Sequence, residues 1–351
     1  MIPTLPEKNK RPGVCYAVTD DGVELPVIDI THPAFEVEVS QEELPAFAEA
    51  SAANLRHWMR LPGPIRRFMV RGSALMGGSS DRRGAFMTGM TTYLMKLGPG
   101  NLGSAYANRM DRRTAEAIPS VAVRYRLRAM AVLLADGLVP QLEAKAGRAV
   151  HLVNIAGGPA ADSLNALILL QAERPELLAG RSIHIHVLDI DEAGPGFGAR
   201  ALAAAMAPGA PLHGVDASFE HIEYDWSCPS ELRCIVDEMD IADAVAASSS
   251  EGGLFEYGSD DEIAANLEIL HDDTPGDFFL VASNFRDEPV TRIMNDMRDD
   301  AFKLRKLINL EGLVGRAGWC VDRIVEGNPL YHVVRLEKLA TFGIPAQEPA
   351  S

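Results

Sequence analysis

The spacing of apolar and polar positions changes character near residue 147. Upstream, two short apolar runs, Val14-Cys-Tyr-Ala-Val and Val23 to Ile30, flank Asp20-Asp21-Gly22 and predict a hairpin. Helical spacing begins at Ser40, where Glu43 three residues on completes a capping-box pattern. It is interrupted at Leu61-Pro-Gly-Pro, Gly77-Gly-Ser-Ser and Gly98-Pro-Gly, all strong breakers. From Ile118 to Leu138 the pattern predicts one amphipathic helix with Val121, Tyr125, Met130, Leu133 and Leu134 on its buried face. Residues 1–147 therefore read as a mainly helical module.

Beyond Gly147, short apolar runs alternate with helical stretches. Val150-His-Leu-Val-Asn-Ile is a buried-strand run, followed by a small-residue turn and a helix to about Gln171. Ile183-His-Ile-His-Val-Leu-Asp, His221-Ile-Glu-Tyr-Asp, Asp243-Ala-Val-Ala-Ala-Ser and Asp277-Phe-Phe-Leu-Val-Ala-Ser predict four further strands. Helices are expected between them, including Ala199 to Met206 and Asp260 to His271. Such alternation makes a parallel sheet covered on both faces. The last two runs, Trp319-Cys-Val-Asp-Arg-Ile-Val and Tyr331-His-Val-Val-Arg-Leu, are joined only by a turn at Glu326-Gly-Asn-Pro, so they should pair antiparallel. Residues 148–351 are thus expected to form an α/β domain: doubly wound, with a mostly parallel seven-stranded sheet ending in an antiparallel hairpin.

Composition narrows the class. Of 351 residues, 47% are apolar and 23% charged, ordinary for a globular chain with a full core. The N-terminus lacks the basic-then-apolar order of a signal peptide, and the aliphatic stretch from Leu164 to Leu170 is too short to span a membrane. Cys15, Cys228, Cys234 and Cys320 show no zinc spacing and are too sparse for a disulfide scaffold, which points to a reduced, cytoplasmic setting.

Charge divides the two parts. Residues 1–150 carry 19 Lys+Arg and 15 Asp+Glu, whereas residues 151–351 carry 14 and 34. Between residues 55 and 130 there are 14 basic side chains and 3 acidic ones. Either the basic module docks on the acidic one, or its arginines hold an anionic substrate. The formal net charge of −16 argues against nucleic acid as a partner.

The chemistry gathers at strand ends. Val153-Asn-Ile-Ala-Gly-Gly-Pro-Ala-Ala-Asp162 runs from strand through small residues into helix, where backbone N–H groups and close approach suit a nucleotide. Asp189 ends the second strand where a ribose is expected, and a carboxylate accepts from both ribose hydroxyls. Asp225 with Trp226 ends the third, an acceptor beside an aromatic face. His184 and His186 share a strand face, but no third metal ligand is evident, so no metal is expected.

These residues resemble class I S-adenosylmethionine-dependent methyltransferases over roughly residues 148–340. The resemblance implies S-adenosylmethionine as cofactor and a small-molecule acceptor. It implies cofactor contacts from Asn154, Ala156, Gly157, Gly158, Pro159 and Asp162, from Asp189 with Ile190, and from Asp225 with Trp226. Ser249 and Ser250, in the fourth-strand motif Ala247-Ser-Ser-Ser-Glu-Gly-Gly, would lie near the transferred methyl. Asn154 stands where the family has an acid, and Ala156 and Ala160 where it has glycines. The 31 residues from Gly158 to Asp189 exceed the roughly 20 of a nucleotide fingerprint.

A sulfonium donor is already activated, so positioning dominates and a base is needed mainly for a protonated acceptor atom. Glu251, expected to be left open to the cleft by Gly252-Gly253, and Tyr257 are the catalytic candidates. Glu256, and Asn284, Phe285 and Arg286 after the fifth strand, are further candidates, each with a structural role as the alternative reading. Arg124 is expected to meet the donor's carboxylate or to pair with the acidic domain. The helical module would cover the cleft, and its apolar surface would allow a homodimer. The rival readings are an NAD(P)-dependent oxidoreductase and a non-catalytic nucleotide-binding or assembly protein.

Overall fold

The computed structural model describes residues 10–62, 65, 73, 75, 88–106, 108–296 and 302–339. The break at Gly77 and five of the basic side chains counted above (Arg66, Arg67, Arg71, Arg82 and Arg83) lie outside them. Strands β1 (Tyr16–Val18) and β2 (Glu24–Pro26) form the expected hairpin, with Tyr16 opposite Pro26 and the turn closed by Gly22 donating to the Thr19 carbonyl at 3.0 Å.

Four α-helices of the N-terminal part have their bounds among the described residues. Ser40 and Glu43 exchange hydrogen bonds, Glu43 Oε2 accepting from Ser40 N–H at 3.1 Å, and α1 (Leu44–Met59) begins directly after them. Helix α2 (Gly89–Leu97) is capped by Thr88, whose hydroxyl accepts from the Thr91 N–H, and stops at Gly98 with φ +77°. Asn108 caps α3 (Arg109–Glu116) in the same way. Helix α4 (Ile118–Ala144) has 27 residues, about 40 Å at 1.5 Å per residue. It outruns the expected end at Leu138 and passes through Pro140, because its last turns are anchored to the sheet. The Gln141 amide donates to the carbonyls of Ala246 and Asp277 and accepts from the Ala246 N–H, and Leu138 and Leu142 are buried.

The α/β part carries strands β3 (Val150–Ile155), β4 (Ser182–Asp189), β5 (Asp216–Glu223), β6 (Val245–Ser250), β7 (Phe279–Phe285), β8 (Trp319–Val325) and β9 (Tyr331–Lys338). They form one seven-stranded sheet in the order β5-β4-β3-β6-β7-β9-β8. All neighbours are parallel except β9, which runs antiparallel to both β7 and β8. The antiparallel finish read from the sequence is present. Strand β5 begins at Asp216, five residues before the run that predicted it, since an edge strand with alternating exposure needs no continuous apolar stretch.

Helices α5 (Ala161–Glu173) and α6 (Ala193–Ala205) lie with α4 on one face of the sheet. On the other lie α7 (Pro229–Glu238), α9 (Asp260–Asp273) and α11 (Leu307–Arg316). Two short helices, α8 (Gly253–Tyr257) and α10 (Pro289–Asn295), follow the ends of β6 and β7. The core on the α4 face also contains Leu25, Val27, Leu44, Leu94 and Leu97. The boundary expected between residues 147 and 148 therefore separates elements that share one hydrophobic interior. No helix among the described residues is long and apolar enough to cross a membrane.

Candidate functional site

The strand order reverses between β3 and β6, and the carboxyl ends of β4 and β5 lie beside that of β3. The chain leaves β3 through Ala156 (φ +56°), Gly157, Gly158 (φ +56°), Pro159 and Ala160 (φ +50°) before α5 begins. A left-handed backbone at an alanine costs about 1–2 kcal/mol, so Ala156 and Ala160 hold a glycine-type conformation under strain. The Ala156 methyl abuts the loop after β6: a Cβ on Gly253 would fall 2.3 Å from it.

A buried side chain and two backbone segments crowd this loop. A Cβ on Gly157 would sit 1.8 Å from Asn154 Oδ1, and one on Gly158 would sit 2.7 Å from the Gly89 Cα at the start of α2. A Cβ on Gly194, in α6, would come within 2.9 Å of the Gly158 Cα. Glycine is required at all three positions by close approach.

Asp189 ties the end of β4 to the loop. Its Oδ2 accepts from the Gly158 N–H at 2.9 Å and its Oδ1 from the Asp191 N–H at 2.9 Å. Burial raises this carboxyl above the ordinary aspartate range, and the two N–H donors pull the other way. Each oxygen keeps a second lone pair. Ile190 is half-buried beside it. The Tyr224 N–H reaches the Asp189 carbonyl at 3.4 Å, so the end of β5 adjoins that of β4. Asp225 then folds into a turn in which its Oδ1 accepts from Ser227 N–H (3.0 Å) and Oγ (2.8 Å), and Trp226 gives its carbonyl to Asn266.

Beneath the loop lies a buried polar cluster. Asn154 Nδ2 donates to Asp162 Oδ1 at 2.8 Å and to Ser249 Oγ at 2.9 Å. Asn154, Asp162 and Ser250 are fully buried and Ser249 is 2% exposed. Asp162 Oδ2 and Asn154 Oδ1 have no hydrogen-bond partner. Burial, then the Glu251 charge, pushes the Asp162 carboxyl up, while Ser249 and Lys96 oppose the shift.

Glu251 is not open to a cleft. Its side chain is 0% exposed and pairs with Lys96 Nζ at 2.7 Å and with Arg126 Nε at 3.3 Å. The reason is local: Gly252 (φ +97°) bends the chain so that its N–H reaches Ser283 Oγ, turning Glu251 under α2 and α4. Arg126 also pairs with Glu256 and lies over the Tyr331 ring, 4.5 Å from its centroid. Burial alone would favour loss of the Arg126 proton, but Glu256, Tyr331 and Glu251 overcome it and hold the guanidinium charged. Tyr257 is half-buried and packs on Phe302 at 5.3 Å. Asn284 serves the backbone, donating to the Phe255 and Lys303 carbonyls.

Arg124 does not reach the acidic domain. Its three guanidinium nitrogens go to Glu38 and to the carbonyls of Ser120 and Ala115, all in the N-terminal part. Arg126 and Lys96 are the cations that reach Glu251 at the end of β6, and sequence reasoning gave them no such role. The available signal was an arginine in an apolar stripe, between Val123, Leu127 and Met130, all buried.

Two cavities lie away from the loop, beside the end of β7. One of about 410 Å³ is lined by Asp260, Phe302 and Arg305 among others, and one of about 280 Å³ by Arg286, Lys306 and Tyr331 among others. At the opposite end of the sheet, His151 Nδ1 and His186 Nε2 are 3.1 Å apart, with His184 tilted against His151 at 4.8 Å between ring centroids. Among the described residues no group of three or more His, Cys, Asp or Glu is arranged to hold a metal ion.

No family model matches the chain, and no curated protein does. Among solved structures, a possible exported protein from Bordetella parapertussis aligns over 86% of this chain and 97% of its own, at TM-score 0.53 and 15% identity. An N,N-8-amino-8-demethyl-D-riboflavin dimethyltransferase from Streptomyces davawensis aligns over 83% and 69%, at TM-score 0.39 and 14% identity. A 1,6-didemethyltoxoflavin-N1-methyltransferase from Burkholderia thailandensis, solved with 1,6-didemethyltoxoflavin and S-adenosylhomocysteine, aligns over 62% and 78%, at TM-score 0.36 and 14% identity.

Proposed function

We propose that this chain, which has the fold of class I S-adenosylmethionine-dependent methyltransferases, transfers a methyl group from S-adenosylmethionine to a small-molecule acceptor. The observation that carries the reading is the 2.9 Å bond from Gly158 to Asp189, which joins the small-residue loop to the acidic end of the next strand at the reversal of strand order. When bound, the cofactor supplies an electrophilic methyl on a positively charged sulfur.

The residues fit that group. Ala156, Gly157, Gly158 and Pro159 offer bare backbone, Asp189 has lone pairs left for two ribose hydroxyls, and Asp225 with Trp226 offers an acceptor and an aromatic face. Ser249 and Ser250 line the end of β6. Glu251 holds Lys96 and Arg126 in place, which leaves Tyr257 as the candidate beside the acceptor. Methyl transfer then relies on alignment of the acceptor by the cap. A carboxylate or phosphate on the acceptor is the finer part of the proposal and rests on the cap's basic charge. Its test is a salt titration of acceptor binding, which must weaken as ionic strength rises.

The test of the main reading is a thermal-shift panel of S-adenosylmethionine, S-adenosylhomocysteine, NAD and NADP. The first two must raise the melting temperature. A rise with the nicotinamide cofactors alone would replace this reading with the oxidoreductase one. Binding of S-adenosylmethionine with no methylated product from a metabolite extract would favour a nucleotide-binding protein without transfer, which the strained alanines and the sealed Glu251 also suit.

A further inference from the structure

Asn266 stands in the buried stripe of α9 with Ile263, Leu267 and Leu270, and none of its surface is exposed. A leucine there would need no partners, whereas a buried amide must have its hydrogen bonds met. Oδ1 accepts from the Tyr224 hydroxyl at 2.6 Å, and Nδ2 donates to the carbonyls of Trp226 at 2.9 Å and Glu262 at 2.8 Å. The amide is fixed in this sense, since turning it over would set its oxygen against two carbonyl oxygens. Tyr224 and Trp226 are the residues on either side of Asp225. One planar group therefore brackets Asp225, holding the chain before it through a hydroxyl and the chain after it through a carbonyl. Tyr224 is 2% exposed and its N–H reaches the Asp189 carbonyl, which refers the bracket to the end of β4 as well. Beyond it, the Cys228 N–H closes the turn on the Asp225 carbonyl at 2.8 Å.

Resting on the function proposed above, we infer that Asn266 is a positioning residue that sets the base specificity of the cofactor site, by holding Asp225 rigidly toward the exocyclic amine of the purine. The polar atoms of Asn266 are all engaged, so it acts only through Tyr224 and Trp226. Rigidity is what makes such an acceptor selective. A carboxylate that cannot move favours a base carrying an amine and rejects one carrying a carbonyl in its place, because the two oxygens are pressed together. A carboxylate able to swing into water escapes that penalty and loses the preference.

The test is isothermal titration of the full chain with S-adenosylhomocysteine and with S-inosylhomocysteine, which carries an oxygen in place of the amine. The wild-type chain should bind the adenine compound about tenfold or more tightly, the worth of a charge-assisted hydrogen bond. Asn266→Leu keeps the volume and removes the bracket, and should cut that preference to about twofold or less. Tyr224→Phe removes one bond and leaves the ring in place, and should reduce the preference about threefold. A purely structural role would weaken both ligands alike and leave their ratio as it was. An unchanged ratio in Asn266→Leu therefore overturns the inference, as does a wild-type chain that binds the two compounds equally. If Asn266→Leu fails to fold, Tyr224→Phe decides by the same ratio. A wild-type chain that binds neither compound instead defeats the underlying function, so the two failures are distinguishable.

Discussion

Lys96, on the second helix, and Glu251, at the end of β6, form an ion pair 2.7 Å long that is almost wholly shut off from water. It joins the cap to the sheet at the strand end expected to face the reacting methyl. Buried pairs contribute little net stability when formed, yet breaking one by removing a partner strands a charge.

Replacing Glu251 with Gln should therefore destabilise the chain by about 3–5 kcal/mol, because the buried Lys96 loses the carboxylate charge that matches it, while Arg126 keeps Glu256. Urea denaturation followed by circular dichroism measures it. A loss under about 1 kcal/mol would mean that water reaches the cluster.

The two left-handed alanines predict the opposite sign. Ala160→Gly relieves a φ of +50° and should raise stability by up to about 1 kcal/mol, the added freedom of the unfolded glycine taking back part of the gain. Gly158→Ala should lower it, since the new methyl would meet the Gly89 backbone at 2.7 Å. A thermal melt of each variant shows the direction.

Much of this loop was legible in the chain. Val150 to Ile155 and Phe279 to Phe285 are apolar enough to declare buried strands, and the small residues after Ile155 declared a tight turn. Asp189 was legible because a polar residue closing an apolar strand marks its carboxyl end. What the sequence could not reveal were contacts between distant segments with no local signature. Gly89 looks like any glycine before a helix, and nothing near it says that its backbone will lie on Gly158. Glu251 was misread for the same reason, since the two glycines after it show that the chain turns but not which way.

Asp189→Ala should abolish any thermal shift with S-adenosylmethionine. It removes the candidate ribose acceptor and frees the Gly158 N–H together. An undiminished shift would place the sugar elsewhere.

Stability should fall as the solution is acidified from about pH 6.5 towards pH 4. Burial, and then His186 and His184, lower the His151 pKa from 6.5 to about 4. Burial also lowers that of His186, with Glu220 opposing. The groups facing these rings are Ser218 and Glu220 on β5 and Asp240 after α7. Across that window the unfolded chain binds a proton that the folded chain refuses, so folding is favoured above it and weakened within it. Urea midpoints at pH 7 and pH 5 should differ, and His151→Gln should narrow the gap; equal midpoints in the wild-type chain would contradict the assignment.

Gly89 and Gly158 meet main chain to main chain, with no side chain between them to act as a cushion. Rigid contact of that kind transmits displacement. Whatever shifts the turn after β3 by a few tenths of an ångström pushes directly on the tip of the second helix, and a tilt of that helix levers the turn in return. The roof and the floor of the pocket thus share a single fulcrum.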